Sequence, residues 1–322
     1  MVWSNGNLRT MHGRIAAAVL FLCVACSSSG SAPLGGGEIG EWSARAPLPT
    51  ARQEMPSALL AGRIYTPGGF DSERRTVALL EIYDPAADRW SAGPALPDGR
   101  NHAGVAPAAG RIFVIGGYAA GGGATATVFA FDPATQQWST NRSMPAPRAA
   151  HVCIEFGGKI YAIGGVRSGA AAATNEIYDP AADAWTTLAP MPTPREHLAA
   201  AVIGQRILVV GGRAPANTAA LEAYSPATNT WERLPDMPTA RGGLAAAAAD
   251  GKLYVFGGEN PGVFPHTEEY DPARNSWRRV ADMPTPRHGM GAVTANGVIH
   301  VIGGGIRAGF GASSAHEAFR AR

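Results

Sequence analysis

Side chains that can bind anions or stack on a ligand follow the Gly-Gly pairs of this chain. Phe70, Tyr118, Arg213 and Glu259 each come directly after such a pair, and the stretches that follow the pairs add Arg74, Arg75, Arg167, His266 and Arg307. Guanidinium groups bind carboxylates through paired hydrogen bonds, and aromatic rings are enriched in binding surfaces. Because these residues differ from one pair to the next, they predict an asymmetric binding face for acidic peptides, carboxylated sugars or other small anions.

Motifs for metal, nucleotide or nucleophilic chemistry are absent from the sequence. The histidines show no His-x-x-x-His spacing, and no calcium loop, Gly-x-Ser-x-Gly elbow or dinucleotide fingerprint occurs. Cys153 lies in an apolar stretch, which predicts a buried and inert thiol. We therefore predict no catalytic residue, no metal and no cofactor.

The composition favours a fold dense in turns and excludes several classes of protein. Of 322 residues, 41 are Gly and 25 are Pro, and both residue types interrupt long helices, which argues against a helical bundle. The hydrophobic share of 46% supports a core and argues against a disordered chain. The net charge of +2 lacks the basic excess that phosphate binding requires, so we predict no nucleic acid partner.

Six copies of one unit fill the chain after its N-terminal segment. Gly-Gly pairs recur every 46 to 48 residues, and six Trp keep the same spacing. Six Arg do so as well, and they are called here the repeated arginines: Arg52, Arg100, Arg148, Arg195, Arg241 and Arg287. Each unit holds four short apolar or alternating runs bounded by Gly, Asp-Pro and Pro, which predict the four strands of one propeller blade.

The unit resembles the Kelch repeat, in which an apolar run ends in Gly-Gly and is followed by a spaced Tyr and Trp. Tyr83 with Trp90 carries this pattern, while Phe131 replaces the Tyr in the second copy. The resemblance covers residues 38 to 322 and implies an all-β, six-bladed Kelch-type β-propeller. The last copy stops before any Trp, and Trp42 precedes the first copy, so we expect the N-terminal strand to complete the last blade and close the ring. A WD40 propeller does not fit, because no Trp-Asp closes a unit.

Residues that recur in every unit are predicted to be scaffold, because a pocket for an asymmetric ligand cannot use six equivalent positions equally. The Trp residues should pack between blades. A Glu two residues before the aromatic occurs nearly as often as the repeated Arg, which predicts buried Arg–carboxylate pairs. These acids are Glu81, Glu176, Glu222, Glu268 and Glu317.

The resemblance also implies a second set of residues on the binding face. In Kelch propellers that bind peptides, the loops after the Gly-Gly pairs share one face with the loops that lead into each first strand. By this resemblance the second set is Glu54, His102, His151, His197 and His288. For any single residue, the alternative is an ordinary polar surface loop.

The N-terminal residues predict an export signal. Residues 1–25 contain basic residues and then an apolar run too short to span a bilayer, and residues 26–37 are a Ser/Gly-rich tether. The end of the run resembles a bacterial lipoprotein signal, which implies lipidation of Cys26, although Cys23 stands where that family prefers Leu, Val or Ile. A plainly cleaved signal is the alternative, and Met11 is an alternative start.

Two functions follow from these observations. The first is a non-enzymatic binding or scaffold module, exported and lipid-anchored in the cell envelope or else periplasmic or secreted, which recognises a protein or glycan partner as a monomer. The second is a cofactor-free sugar-processing enzyme, because exported six-bladed Kelch proteins include sialic acid mutarotases, which act on an acidic sugar. In the second case Arg and Glu or His at the channel mouth would bind the carboxylate and move protons. A deep cavity that gathers Arg213, Glu259 and His residues would favour the enzyme, and a broad flat face would favour partner binding.

Overall fold

Four short antiparallel strands form each blade, and six blades form a ring. The computed structural model describes residues 39–321, so the predictions for the signal peptide, the tether and Cys26 lie outside the described residues. Each blade is numbered in chain order, and its strands run outward from the channel in chain order, apart from the N-terminal strand that ends blade 6. Blade 1 contains Ala58–Leu60, Arg63–Pro67, Leu80–Asp84 and Arg89–Ala92, and blade 2 contains Gly104–Ala108, Arg111–Ile115, Val128–Asp132 and Gln137–Asn141. Blade 3 contains Val152–Phe156, Lys159–Ile163, Asn175–Asp179 and Ala184–Thr187, and blade 4 contains Ala199–Ile203, Arg206–Val210, Leu221–Ser225 and Thr230–Leu234. Blade 5 contains Ala245–Ala249, Lys252–Phe256, Thr267–Asp271 and Ser276–Val280, and blade 6 contains Gly291–Ala295, Val298–Ile302, His316–Arg320 and Glu41–Ala44.

Three two-stranded ladders lie beside the Gly-Gly pairs and involve the loops of the predicted binding face. They join Arg52–Gln53 to Phe70–Asp71, Arg100–Asn101 to Tyr118–Ala119, and Val166–Arg167 to Ala170–Ala171. Within the described part of the chain, no helical segment has the length and apolar character that a membrane span needs.

The ring closes as the sequence predicted. Glu41–Ala44 pairs antiparallel with His316–Arg320, with Trp42 opposite Phe319, so the first described strand becomes the outer strand of blade 6. The Trp42 indole N–H donates to the carbonyl of Ala281 in the preceding blade at 2.9 Å, and Trp90 makes the equivalent bond to Ala46 at 2.9 Å. The repeated Trp residues therefore join neighbouring blades, as predicted.

The first strands of all six blades line the central channel. One cavity within it, of about 300 Å³, is lined mostly by Ala, Val and other small residues from every blade, together with Leu59, Ile154 and Glu155. The apolar side chains that face away from the channel pack between adjacent blades, where Ile112, Val209 and Val255 are fully buried. The channel wall is therefore made mostly of small residues, and the bulky core lies between the blades.

The repeated arginines hold the blades internally. Five of the six pair with the predicted Glu of the same blade, at 2.6 Å for Arg52 with Glu81 and 2.9 Å for Arg287 with Glu317. The guanidinium groups also donate to carbonyls of the second strand, as Arg195 does to Val209 at 3.0 Å. These five arginines are fully buried: Arg52, Arg148, Arg195, Arg241 and Arg287. Their predicted role as scaffold is thus what the geometry shows.

Blade 2 departs from this pattern because it lacks the Glu. Phe129 occupies the Glu position, and the guanidinium of Arg100 lies over its ring at 4.9 Å from the centroid. Arg100 pairs instead with Asp98, two residues earlier in the chain, at 2.5 Å. A cation–π contact and a local carboxylate therefore replace the buried Glu.

We expect Glu222→Ala to lower the free energy of unfolding by about 3–5 kcal/mol, because it leaves the buried Arg195 without its carboxylate. The measurement is urea unfolding followed by tryptophan fluorescence. The control is Glu232→Ala, which removes a surface pair between Glu232 and Arg206 at 2.7 Å and should lower the unfolding free energy by less than about 1 kcal/mol. Equal losses in the two variants would contradict the scaffold role.

Two buried histidines sit at the junction that closes the ring. His300 Nδ1 lies 3.0 Å from His316 Nε2, and His316 Nδ1 lies 3.0 Å from the carbonyl oxygen of Ala46. Burial lowers the pKa of His300 to about 4, and burial together with the charge of His300 lowers the pKa of His316 to about 3. Both imidazoles are therefore neutral in the folded protein at neutral pH.

We expect stability to fall as the pH drops below about 6.5, because the unfolded chain then takes up protons on these histidines and the folded chain does not. Each group contributes up to about 1.4 kcal/mol per pH unit. In the His300→Leu/His316→Phe variant, the loss of melting temperature between pH 7 and pH 5 should be smaller than in the unchanged protein. An identical loss in both proteins would show that other groups carry the acid sensitivity.

Candidate functional site at the channel mouth

The residue two places after each repeated Arg has a left-handed backbone in all six blades. These six positions, called here the rim positions, are Glu54, His102, Ala150, His197, Gly243 and Gly289, with φ of 54°, 52°, 52°, 51°, 65° and 58°. Each rim N–H donates to the carbonyl of the rim position in the preceding blade, at 2.7 to 3.0 Å, so that six backbone hydrogen bonds form a closed circle. The left-handed conformation turns both peptide groups along this circle.

The circle brings three polar side chains to one level of the channel. Glu54, His102 and His197 come from blades 1, 2 and 4, whereas the other three rim positions are Ala or Gly. A side chain at Gly289 would overlap the Glu54 carboxylate, so this Gly leaves the space that Glu54 occupies. Left-handed backbone is unfavourable for residues other than Gly, and such strain is common at functional sites.

Glu54 lies between two histidines. Its Oε2 is 3.2 Å from His102 Nε2, and its Oε1 is 3.2 Å from His288 Nδ1. Burial alone would raise the pKa of Glu54, but attraction to His102, His288 and His197 in their protonated forms outweighs burial and holds that pKa well below its ordinary value. Glu54 is therefore a buried carboxylate anion.

The three histidines differ in their charge. Burial lowers the pKa of His102, and burial together with repulsion from the protonated form of His102 lowers the pKa of His197 to about 3. Burial also opposes the protonation of His288, but the carboxylates of Glu54 and Glu259 outweigh it and raise the pKa of His288. The site thus combines two neutral imidazoles with one that favours the charged form.

A second carboxylate, Glu259, faces the same space. Its Oε2 lies 3.6 Å from His288 Nε2 and accepts the Gly309 N–H at 2.6 Å, and its Oε1 contacts the Arg213 guanidinium. Arg213 also lies 4.0 Å from Glu196. The charge of Arg213 is therefore neutralised by two acids, so this arginine is not available to bind the carboxylate of a ligand.

These groups open into a pocket of about 500 Å³ at the channel mouth, called here the mouth pocket. Phe70 and Phe310 supply aromatic walls, and the Arg74 guanidinium lies over the Phe310 ring at 4.5 Å from its centroid. The complete lining is Gln53, Glu54, Phe70, Arg74, His102, His197, Arg213, Glu259, Ala308, Gly309 and Phe310. The pocket is concave, with polar groups at its floor and aromatic rings at its sides.

Seven of the fourteen binding-face residues predicted from sequence line the mouth pocket: Glu54, Phe70, Arg74, His102, His197, Arg213 and Glu259. Two more adjoin it, because His288 contacts Glu54 and the Tyr118 ring lies 5.6 Å from the His102 ring. The structure does not bring the other five to the pocket.

Four of those five lie on the outer surface or turn away from the pocket. Arg75 is exposed and pairs with Asp71 at 2.7 Å, and Arg167 is exposed. His266 lies 3.8 Å from Asp282, outside the channel. Arg307 is exposed, and only its backbone carbonyl reaches the site, 3.0 Å from His288 Nε2.

The fifth, His151, points one layer deeper than the rim. It lines the channel cavities below the mouth pocket with Cys153, and neither of its ring nitrogens has a hydrogen-bond partner among the described residues. Burial raises the pKa of the Cys153 thiol to about 12, as suits the inert thiol that the sequence predicted. His151 follows its repeated Arg by three residues rather than two, which explains its different direction.

Sequence reasoning missed the residues that precede the rim positions. Asn101 Oδ1 lies 2.6 Å from His102 Nδ1, and Glu196 contacts His197 Nδ1. Gln53 joins the neighbouring loop by donating to the Gly309 carbonyl at 3.0 Å. The sequence contains a signal for these residues, because the residue type directly before each rim position also differs from blade to blade.

The fold and the site together define a six-bladed β-propeller with a polar pocket at one mouth of its channel. The chain belongs to the Kelch-repeat family, since the KLHDC2/KLHL20/DRC7 Kelch-repeats domain matches residues 91–237 and 192–316. One similar solved structure, titled "Structure of YjhT", shares 19% identity with a TM-score of 0.74 over 85% of this chain and 96% of that one. No curated protein sequence matches significantly. At this identity the likeness shows the fold alone, and 1011 solved chains match, so the fold does not select a function.

We expect the strain at the rim to be measurable at the positions without a functional side chain. Gly243→Ala should lower the unfolding free energy by about 1–2 kcal/mol through its backbone alone, because its Cβ would meet the nearest side chain, His288, at an ordinary 3.4 Å. Ala150→Gly should raise the unfolding free energy by up to about 1 kcal/mol. Chemical unfolding of both variants is the measurement, and a stabilised Gly243→Ala would refute the strain.

Proposed function

We propose that this Kelch propeller is a binding module whose ligand is a small, hydroxyl-rich molecule of the glycan class, held in the mouth pocket. The observation that carries the proposal is the concave pocket of about 500 Å³ with carboxylates at its floor and aromatic rings at its sides. This volume is in the range of small-molecule sites and too recessed for a flat protein surface. Membership of the Kelch-repeat family supports a binding function in general.

The chemistry of the lining favours a sugar. Glu54 and Glu259 accept hydrogen bonds, which suits the hydroxyl groups of a sugar ring. Phe70 and Phe310 offer flat apolar faces on which the C–H side of a sugar ring can pack. Glu54 is buried and ionised, so a hydroxyl that donates to it replaces lost water contacts.

The cations of the pocket favour one acidic group on the ligand. Arg213 is already paired with Glu259 and lies near Glu196. Arg74 is exposed at the pocket edge, where its guanidinium lies over the Phe310 ring, and it forms no salt bridge within residues 39–321. A sugar acid can therefore place its carboxylate at Arg74, whereas a strongly anionic peptide would meet the two acids of the floor.

A second function, a cofactor-free sugar-processing enzyme resembling sialic acid mutarotases, is favoured by one observation. The Glu54 carboxylate lies 3.2 Å from ring nitrogens of both His102 and His288, at the floor of the pocket. Groups at hydrogen-bond distance from one another and from a bound sugar can pass a proton to it. Mutarotation needs only such proton transfers at the anomeric hydroxyl and the ring oxygen.

The cellular setting is part of the proposal. Export through residues 1–25, lipidation at Cys26 and a tether over residues 26–37 would hold a monomeric propeller at an envelope membrane, where glycans are accessible. These predictions rest on the sequence.

We expect isothermal titration to show that the full chain binds N-acetylneuraminic or glucuronic acid more tightly than their neutral analogues. Arg74→Ala should weaken the acidic sugars about tenfold and change the affinity for neutral sugars much less, because it removes the carboxylate contact. Phe310→Ala should weaken both kinds. The matched control is Arg75→Ala, since Arg75 is a neighbouring exposed arginine that already pairs with Asp71.

The same samples separate the two functions. Magnetisation exchange between sugar anomers, measured by NMR, reports mutarotation. Faster exchange that is lost in Glu54→Gln would establish the enzyme, and binding without faster exchange would establish the binding module. If no sugar binds even at millimolar concentration, both proposed functions are wrong, and a protein partner becomes the hypothesis to test.

A further inference from the structure

The floor of the mouth pocket gathers three side chains of the kinds that bind transition metals. One donor atom from each of Glu54, His102 and His197 lies within 4.8 Å of the others. Ligand bonds of about 2.0–2.2 Å place the donors of a tetrahedral ion roughly 3.4 Å apart, so the donor atoms need to approach one another by up to about 1.4 Å. The sequence predicted no metal, because these residues lie on three blades and their spacing along the chain shows no motif.

Each of the two imidazoles has its Nδ1 directed at a side-chain oxygen of the residue that precedes it. Asn101 Oδ1 is 2.6 Å from His102 Nδ1, and the Glu196 carboxylate contacts His197 Nδ1. Metal-binding histidines characteristically donate one ring N–H to such an oxygen, which fixes the ring and leaves the other nitrogen as the ligand. In His102 that other nitrogen, Nε2, is the atom that faces Glu54 at 3.2 Å.

The third ligand also lies against a neighbouring side chain. Glu54 Oε1 is 3.2 Å from His288 Nδ1, and its Oε2 faces His102. If Asn101 accepts the Nδ1 proton, a lone pair of His102 faces a carboxylate oxygen. A cation bound between these two electron-rich atoms would satisfy both of them.

The equivalent positions in the other blades show that the fold does not need these side chains. Ala150, Gly243 and Gly289 have the same left-handed backbone and make the same circle of hydrogen bonds without a polar group. The polar residues of blades 1, 2 and 4 therefore add strain without a scaffold role. A ligand that all three contact would explain their presence.

We propose that Glu54, His102 and His197 form a binding site for a Zn²⁺ ion at the floor of the mouth pocket. Two imidazoles and one carboxylate are a zinc donor set, whereas Ca²⁺ and Mg²⁺ prefer oxygen ligands alone. Three protein ligands leave a coordination position, which faces the pocket and takes water or a ligand hydroxyl. This inference goes beyond the proposed function and does not depend on it, since the ion would bind without a sugar.

The test is a titration of the full chain, first freed of metal with a chelator, by Zn²⁺ in competition with a chromophoric chelator. We expect one tight site per chain, weakened at least 100-fold in His102→Ala and in His197→Ala. Both variants should fold, because Ala occupies the same rim position in blade 3. Circular dichroism and melting temperature check this, and Glu54→Gln, of nearly unchanged size, should weaken binding 10–100-fold.

The control is His266→Ala, which removes a histidine outside the channel and should leave the zinc affinity unchanged. Cobalt(II) in place of zinc should give visible absorption bands without the near-ultraviolet band of thiolate ligands, which separates this site from the cysteines. Zinc affinity that is unchanged in His102→Ala/His197→Ala, or absent in the folded chain, overturns the proposal. Neither outcome bears on sugar binding, which the Arg74 and Phe310 variants test separately.

Discussion

The circle of six backbone hydrogen bonds at the channel mouth is the constraint on which the site depends. Each rim N–H points to the preceding blade and each rim C=O points to the next, and all six rim positions have a left-handed backbone. The circle places six Cβ directions at one level, three of which carry Glu54, His102 and His197. A propeller built from nearly identical units thereby obtains a site at a single point, because the side chains at one backbone position differ.

The buried Arg–Glu pairs perform the complementary task within each blade. A fully buried guanidinium is tolerated only where most of its protons find acceptors, and here the Glu of the third strand and carbonyls of the second strand accept from its Nη atoms. Each repeated Arg lies two residues before a rim position, so the pair also anchors the chain where it enters the circle. In blade 2 the repeated Arg keeps its place with different partners, since Arg100 contacts Asp98 and Phe129 instead of a buried Glu.

Period and composition were sufficient for the fold but not for the site. The spacing of Gly-Gly, Trp and Arg predicted six four-stranded blades and the closing strand, because each repeated residue has one structural task. The site also depends on the direction of each side chain, which a shift of one residue changes. The resemblance to Kelch propellers placed His151 and His288 in one set with Glu54, His102 and His197. In the structure His151 lies one layer deeper in the channel, and His288 lies beside the rim position Glu54. The pairing of Arg213 with Glu259 joins two blades and left no trace in the local sequence.

The electrostatics of the floor point to what the site can accept. Glu54 is a buried anion, His102 and His197 are neutral, and the Nε2 of His102 faces the carboxylate. Arg213 and His288 supply positive charge to the two acids, and His288 lies beside Glu54 Oε1, whereas Glu54 Oε2 faces the neutral His102. A hydroxyl proton, a transferred proton or a metal ion can supply positive charge at Oε2. Sugar binding, proton transfer and zinc binding therefore all use the lone pairs of Glu54 and His102. Because these lone pairs cannot serve a metal ion and a proton at once, a bound ion excludes the free base that mutarotation needs.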